Sequence, residues 1–304
     1  MTAADLAERL DAKRNGPGWI ARCPAHDDKS PSLSISEGTD GRILLKCFAG
    51  CSAEEVCQAA GLRLSDLMPP REPEQTRQRR PVEIPLDNGT PAELDKLADL
   101  RKIGIAGLHP GLENAITAGF LRFGNLDGFR CWIVTDSTRR NMQARRLDGG
   151  RLAVRGKTIK AKTLPGSRAS WPLGCADIGN RPHVALCEGG PDALAAYQHV
   201  WGEALQGSWA VVAMMGAANR IPGDALPYFK GKHIRVFIHN DEAGLRAFAS
   251  WGYQLKSAGA DVDGYSFEGL TKQDGKPIDD LNDLSEIDEP SLKKMDPLFE
   301  GAQS

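Results

Sequence analysis

The sequence predicts an α/β protein in which a small N-terminal domain precedes a larger core with a mostly parallel sheet. Four of the seven cysteines lie within the first sixty residues, and such clustering indicates a separate metal-stabilised module. In the last third of the chain, short apolar stretches predict strands at 183–187, 209–215, 234–238 and 262–267, which alternate with helical segments. This alternation is typical of a parallel sheet that carries helices on both faces.

Composition restricts the classes of function. The chain has 304 residues, enough for two or three domains, and a net charge of −2. Binding to nucleic acid would therefore need a local basic surface rather than a basic protein as a whole. No run of about eighteen apolar residues is present, so we expect no membrane association and a cytoplasmic protein. An odd number of cysteines in a chain of this size argues against a disulfide framework.

Two short pairs supply four candidate ligands for one metal ion. Cys23 and His26 form a C-x2-H pair, and Cys47 and Cys51 form a C-x3-C pair. The segment between the pairs has two apolar stretches separated by a turn, which predicts a β-hairpin that brings the pairs together. Zinc takes four such ligands in a tetrahedron, and its binding contributes about 10–16 kcal/mol in finger peptides. We expect a structural zinc ion, because all four positions are filled by protein.

These residues carry a resemblance to a known family. The strings CPAHDDKSPSLSI, from Cys23, and KCFAGC, from Lys46, resemble the CHC-type zinc-binding domain of bacterial and phage primases over residues 20 to 67. The common form of the family has two residues inside the second pair, and this chain has three. The resemblance implies a small zinc-ribbon-like domain that holds a single-stranded DNA template.

Acidic residues follow the ends of predicted strands in the last third of the chain. Glu188 follows an apolar strand, and Asp192 lies on the helix after it; His239 and Asp241 follow a later strand. The carboxyl ends of parallel strands share one edge of a sheet, so Glu188 and Asp241 should converge there as ligands of Mg²⁺ or Mn²⁺. Two carboxylates about 4 Å apart repel by about 4 kcal/mol at an effective dielectric of about 20, so such a cluster needs a cation. Two more carboxylates complete the candidate catalytic set: Asp280 and Asp283. The alternative is that these acids only cap helices.

The order of these acids resembles the Toprim domain of primases, topoisomerases and some nucleases. Glu188-Gly189-x-x-Asp192 matches its glutamate motif, and Asp280-Leu281-Asn282-Asp283 matches its late acidic motif. In the position of the Asp-x-Asp motif, this chain has His239-Asn240-Asp241. An imidazole suits Mn²⁺ better than Mg²⁺, so the replacement puts binding of a second metal ion in doubt.

Basic residues concentrate in the middle of the chain. Among them, Arg145, Arg146 and Lys162 are candidates for binding the phosphates of a nucleotide or a template. A solvated hairpin surface would explain the same charges. The order of motifs in this region is similar to the N-terminal part of primase catalytic cores, which favours the phosphate role.

Four segments follow from these motifs. We expect a zinc-binding domain at residues 1–68, a proline-rich and charged linker at 69–89, the helical and then basic β-rich first part of a primase-type core at 90–180, and a Toprim domain at 181–304. Residues 150–158 resemble a P-loop but have five residues between the glycines instead of four, so we expect no helicase motor in this chain.

The combination of motifs resembles a bacterial or phage-type DNA primase, which implies template-directed synthesis of short RNA primers on single-stranded DNA by metal-dependent nucleotidyl transfer; the compactness of the chain favours a phage or plasmid origin. Such an enzyme uses nucleoside triphosphates, a single-stranded DNA template and a separate replicative helicase. Two other functions remain open from the sequence. One is a Toprim nuclease that uses the same metal site, and the other is a DNA-binding replication adaptor of a mobile element, with catalysis weakened by His239.

Overall fold

A computed structural model describes residues 2–38, 42–62, 64–68, 84–104, 108–154 and 156–299. The chain divides into two compact units, Met1–Gln78 and Arg79–Ser304. Most of the predicted linker, residues 69–83, lies outside the described residues.

The N-terminal unit is a four-stranded antiparallel sheet with a short helix before it and another after it. The strands pair in chain order, and pairing of the third with the fourth confirms the predicted hairpin. Its core contains four fully buried aliphatic residues: Leu6, Leu33, Ile35 and Val56. Its helices and strands are α1 (Ala3–Arg9), β1 (Lys13–Asn15), β2 (Gly18–Ala21), β3 (Leu33–Glu37), β4 (Ile43–Cys47) and α2 (Ala53–Ala59), followed by a 3-10 turn at Leu64–Leu67.

The second unit begins with two helices and an antiparallel sheet. The Thr90 side chain caps the first helix by accepting a hydrogen bond from the Glu93 amide, and Pro91 lies in the first turn, where its missing amide costs no hydrogen bond. The sheet order is β10-β7-β6-β5, and the next two strands form a separate hairpin. The elements are α3 (Pro91–Arg101), α4 (Pro110–Thr117), β5 (Leu121–Leu126), β6 (Phe129–Val134), β7 (Gln143–Arg146), β8 (Leu152–Val154), β9 (Lys157–Ile159) and β10 (Lys162–Thr163).

The rest of the second unit is built on a four-stranded parallel sheet of order β12-β11-β13-β14. Each crossover passes through a helix or a longer connection, as parallel pairing requires. The elements are β11 (His183–Cys187), α5 (Gly190–Gly202), β12 (Trp209–Ala213), β13 (His233–Ile238), α6 (Glu242–Ser257), β14 (Asp261–Ser266) and α7 (Glu289–Lys294), with 3-10 turns at Cys175–Asp177, Leu226–Phe229 and Leu281–Glu286.

Both faces of the parallel sheet are covered, which confirms the predicted α/β class. Successive residues of a strand point to opposite faces. Ala185 and Cys187 pack in one core with Leu194 of α5. Leu186 packs in a second core with Trp251 of α6.

One strand is shorter than predicted, and the two predicted parts of the core share hydrophobic packing. The strand predicted at 209–215 ends at Ala213 because Met215 has a φ of 61°, which a strand does not allow. The core that contains Leu194 also contains Leu112 of α4 and Phe123 of β5. Residues 90–180 and 181–304 therefore pack as one unit, and a boundary between them at position 180 stays a prediction.

Helix α4 lies directly on helix α5. A Cβ atom at Gly111 would lie 2.3 Å from Cα of Gln198, so the two backbones approach more closely than any other residue would permit. The Gly111 amide also donates to Oε1 of Gln198 at 3.1 Å. Across the described residues, no helix is both long and apolar enough to cross a membrane.

Candidate functional site

The four predicted zinc ligands come together in the N-terminal unit. Ligand atoms of Cys23, His26, Cys47 and Cys51 all lie within 4.8 Å of one another. Nδ1 of His26 is 3.3 Å from Sγ of Cys51 and 3.9 Å from Sγ of Cys47. Sulfur and nitrogen ligands on a tetrahedral zinc lie about 3.5–3.8 Å apart. This group could bind zinc.

The extra residue in the second pair is absorbed by a glycine turn. Gly50 has a φ of 101°, and its amide donates to the carbonyl of Cys47 at 3.2 Å. Burial acts to raise the pKa of Cys47, but the amides of Cys51 and Ala49 lower it to about 6. Cys47 therefore loses its proton readily, and the thiolate is the form that binds metal.

Asp28 organises the first pair, a role that the sequence analysis missed. Its carboxylate accepts from the amide of Cys23 at 2.7 Å and from Oγ of Ser32 at 2.6 Å. These two contacts, with the Ser32 bond first, lower the pKa of Asp28. Asp28 also lies 3.8 Å from Nε2 of His26. A carboxylate beside the non-ligating nitrogen of a metal-bound imidazole orients the ring. An acidic residue close to the C-x2-H pair could therefore have indicated this role from the sequence.

A second cluster lies in the other unit, at the carboxyl end of the parallel sheet. We call it the acidic cluster: Asp192, His239 and Asp280, whose ligand atoms lie within 4.8 Å of one another. Nε2 of His239 is 3.0 Å from Oδ2 of Asp192, and its Nδ1 is 3.5 Å from Oε2 of Glu188. Strands β11 and β13 are neighbours, which places the residues after them side by side.

Two predicted site residues have other partners. Asp241 caps α6, where its carboxylate accepts from the Gly244 amide at 2.7 Å. Asp283 accepts from Nζ of Lys272 at 2.7 Å. Neither belongs to the acidic cluster, although the charge of Asp241 contributes to the raised pKa of Glu188. A shared ion between Glu188 and Asp241 stays a prediction.

The acidic cluster carries an excess of negative charge, which favours binding of a cation. Burial, then the charges of Asp192 and Asp283, raise the pKa of Asp280 to about 6. Burial acts to lower the pKa of His239, but its hydrogen bond with Asp192 and the nearby carboxylates raise it to about 9. Oδ1 of Asp192 is buried without a hydrogen-bond partner. Two carboxylates, one of them with an unsatisfied oxygen, and an imidazole fit a divalent cation, which would take the place of the imidazolium proton.

Two arginines feel the charge of Asp192 in the acidic cluster, and only one of them was predicted from the sequence. Arg145 of β7 and Arg101 of α3 each have a buried Nε without a hydrogen-bond partner. Burial lowers the pKa of both, and each feels the charge of Asp192. Nε1 of Trp132, opposite Arg145 on β6, is also buried without a partner. Unsatisfied buried donors are rare in folded proteins, so these three atoms are candidates for binding an anion.

Arg101 could have been found from helical spacing. It follows the buried Leu97 by four residues and Ala98 by three, so it lies on the apolar face of α3, where a charged residue is unusual.

The other two basic candidates are engaged elsewhere. Arg146 pairs with Asp148, with Nε 2.9 Å from Oδ1 of the carboxylate, and stacks on Phe129 at 3.4 Å. Nζ of Lys162 lies 2.7 Å from Oδ2 of Asp127. A phosphate role for these two residues stays a prediction.

No protein-family model matches the chain, and no curated protein matches it. Several solved structures with a similar fold are primases. The primase fragment of the bacteriophage T7 primase-helicase protein has 15% identity and a TM-score of 0.42, and the match covers 87% of this chain and 93% of that one. The zinc-binding and RNA polymerase domains of the Aquifex aeolicus primase have 18% identity and a TM-score of 0.35, over 88% and 78% of the two chains. A DNA primase domain from Pseudomonas aeruginosa has 14% identity and a TM-score of 0.32, over 60% and 57%. Similarity at this level does not assign a function, which depends on the sites.

Proposed function

We propose that this protein is a primase-type RNA polymerase, which makes short RNA primers on single-stranded DNA from nucleoside triphosphates. The observation that carries the proposal is the acidic cluster together with two half-buried arginines, which feel the charge of Asp192 and whose Nε atoms have no hydrogen-bond partner. A cation site beside an anion site is the arrangement that phosphoryl transfer needs.

In this proposal the divalent cation is held by Asp192, His239 and Asp280, with Glu188 beside them. The bound cation supplies activation of a hydroxyl and neutralisation of charge at the phosphate. Mn²⁺ should serve better than Mg²⁺, because an imidazole suits Mn²⁺ and Mg²⁺ favours an all-oxygen shell.

The chain's own residues bind the triphosphate and move the proton. Arg101 and Arg145 donate to phosphate oxygens, and Nε1 of Trp132 adds a third donor. Glu188, whose pKa is raised first by burial, accepts the proton of the attacking 3′-hydroxyl. The new bond joins that oxygen to the α-phosphorus, the bond from this phosphorus to the β-phosphate oxygen breaks, and pyrophosphate leaves.

The N-terminal unit would hold the template through the face of its sheet that carries Lys13 and Lys46. The two lysines lie in one row of cross-strand neighbours and therefore on one face. Lys46 is opposite Ser34, Ser34 is opposite Ile20, and Ile20 is opposite Lys13. At the edge of this face Phe48 is 64% exposed, with Nζ of Lys46 5.6 Å from the ring centroid. Cations beside an exposed aromatic ring are typical of surfaces that bind single strands. A separate replicative helicase would supply that strand.

The decisive experiment is a primer-synthesis assay with the full chain. Single-stranded DNA and labelled nucleoside triphosphates are incubated with the protein and either Mn²⁺ or Mg²⁺. We expect short RNA products, more with Mn²⁺ than with Mg²⁺, and loss of products in Asp192→Asn. Glu289→Gln, which changes an exposed carboxylate on α7, is the matched control and should keep the wild-type rate.

Two outcomes would replace the proposal. Degraded template in place of primers would identify a nuclease that uses the acidic cluster. Template binding with no product, unchanged by Asp192→Asn, would identify a DNA-binding adaptor.

A further inference from the structure

A pair of histidines lies at the amino end of the parallel sheet, opposite the acidic cluster. His183 begins β11 and His233 begins β13, and the two residues are opposite each other in register. Their Nδ1 atoms are 3.4 Å apart, with the rings at 78° to each other. We call them the histidine pair. Nothing in the proposed function uses them.

A carboxylate lies beside one ring of the pair. Nε2 of His233 lies 3.5 Å from Oδ2 of Asp263 on β14. A carboxylate in this position favours the proton on Nε2 and leaves the lone pair on Nδ1, as in the carboxylate–histidine–metal arrangement. Asp263 is itself held by Arg235, whose guanidinium contacts both carboxylate oxygens.

Packing fixes the other ring. His183 stacks on Trp209 with ring centroids 4.9 Å apart and an angle of 21°. Trp209 packs in turn against Phe299, again at 4.9 Å. Burial, and then the nearby His233 and Arg235, lower the pKa of His183. The charge of Arg235 is compensated by Asp263.

The separation of the two nitrogens matches the edge of a metal polyhedron. Two nitrogens at about 2.0–2.1 Å from a tetrahedral zinc lie about 3.4 Å apart. A hydrogen bond from nitrogen is normally about 2.9–3.0 Å long, so 3.4 Å is long for a shared proton. Both side chains are partly exposed, which leaves room for water to complete the coordination.

We propose that Nδ1 of His183 and Nδ1 of His233 bind a borderline divalent transition metal, for which Zn²⁺ is the test ion. Imidazole nitrogen is a preferred ligand of such ions. The site is distinct from the cysteine site and from the acidic cluster. Bound metal cross-links β11 to β13 at the end of the sheet where the C-terminal segment packs.

The test is protection of each histidine from diethyl pyrocarbonate, resolved by peptide mass spectrometry of the full chain. Micromolar Zn²⁺ should slow modification of His183 and His233 together, while Mg²⁺ should not. His109 is the internal control and should keep its rate of modification. It pairs with Asp95 and is distant in sequence from both His183 and His233.

Variants separate binding from accidental shielding. His183→Gln should abolish the protection of His233 by Zn²⁺. Asp263→Asn keeps both ligands and should lower the Zn²⁺ affinity that the protection reports by roughly tenfold to a hundredfold. Protection confined to His26 or His239 would overturn the proposal, as would unchanged protection of His233 in His183→Gln. Primer synthesis does not enter this readout, so the outcome is independent of the proposed function.

Discussion

At the scale of single residues, we expect His239 to determine which cation the acidic cluster prefers. Its imidazole contacts both Asp192 and Glu188. We expect His239→Asp to raise Mg²⁺-supported primer synthesis several-fold relative to Mn²⁺-supported synthesis, because a hard oxygen ligand replaces nitrogen. The ratio of the two rates is the measurement. An unchanged or lower Mg²⁺ rate would contradict the assignment of His239 as a ligand.

Arg101 is the residue for which the structure adds most to what the sequence predicted. A charge-assisted hydrogen bond is worth about 1.5–3 kcal/mol, so Arg101→Ala should raise the KM for nucleoside triphosphate by roughly tenfold to a hundredfold. Arg101→Lys should recover only part of this loss, because lysine lacks the planar fork of arginine. Steady-state kinetics in nucleotide provide the measurement. Arg246→Ala, an exposed arginine on α6, is the control, and an equal effect there would contradict the proposed role.

Strand geometry explains why the sequence could not choose between Arg145 and Arg146. Neighbours on a strand point to opposite sides, so only one of them can face the acidic cluster. Which one does so depends on the register of β7 with β6, where Arg145 lies opposite Trp132. Register depends on long-range pairing, which a single sequence does not display.

At the scale of elements, helix α6 offers a matched pair of glycines. A Cβ at Gly244 would lie 2.3 Å from the carbonyl oxygen of His239, whereas nothing lies within 4 Å of a Cβ at Gly252. Alanine in a helix is normally favoured over glycine by about 1 kcal/mol. Gly252→Ala should therefore stabilise the second unit, and Gly244→Ala should destabilise it and displace His239.

Denaturant unfolding of both variants measures the sign of each change. Primer synthesis should fall in Gly244→Ala and stay at the wild-type rate in Gly252→Ala. Equal stabilisation by both substitutions would show that α6 does not pack against the residue that follows β13.

The elements themselves were largely predictable. The alternation of apolar strands with helices in the last third of the chain predicted β11, β13 and β14 to within a residue at each end. Local capping was harder to separate from function. Asp241 follows a strand in the position of a metal ligand, yet the same residue is the N-cap of α6. Sequence pattern alone does not distinguish these uses, because both place an acid between a strand and a helix.

At the scale of the whole molecule, the two units should respond separately to loss of zinc. Cys47→Ala removes one of four ligands from a unit whose small core cannot replace metal binding. We expect the N-terminal unit to lose amide protection in hydrogen exchange while residues of the second unit keep theirs. Simultaneous loss in both units would contradict a domain boundary in the predicted linker.

The second unit should also lose stability in acid, because Arg130 depends on charged partners. Its guanidinium contacts Asp87 and Glu93, and these bonds lower the pKa of both acids. Acids with a depressed pKa stabilise the folded state above their unfolded pKa values, about 3.9 and 4.3, and lose this contribution as pH falls through the folded values.

The measurement is the free energy of unfolding at pH 7 and at pH 3. Arg130→Leu should be less stable than wild type at pH 7, and the difference should shrink at pH 3. A difference that stays constant between the two pH values would show that packing, rather than the ion pairs, explains the role of Arg130.

The close approach of α4 to α5 at Gly111 has a consequence for motion. The first turn of α5 carries Asp192, and the contact at Gln198 couples α4 to the same rigid body. Under the proposed function, we therefore expect Asp192 to hold its position when a nucleotide binds, and the arginine side chains to make the adjustment.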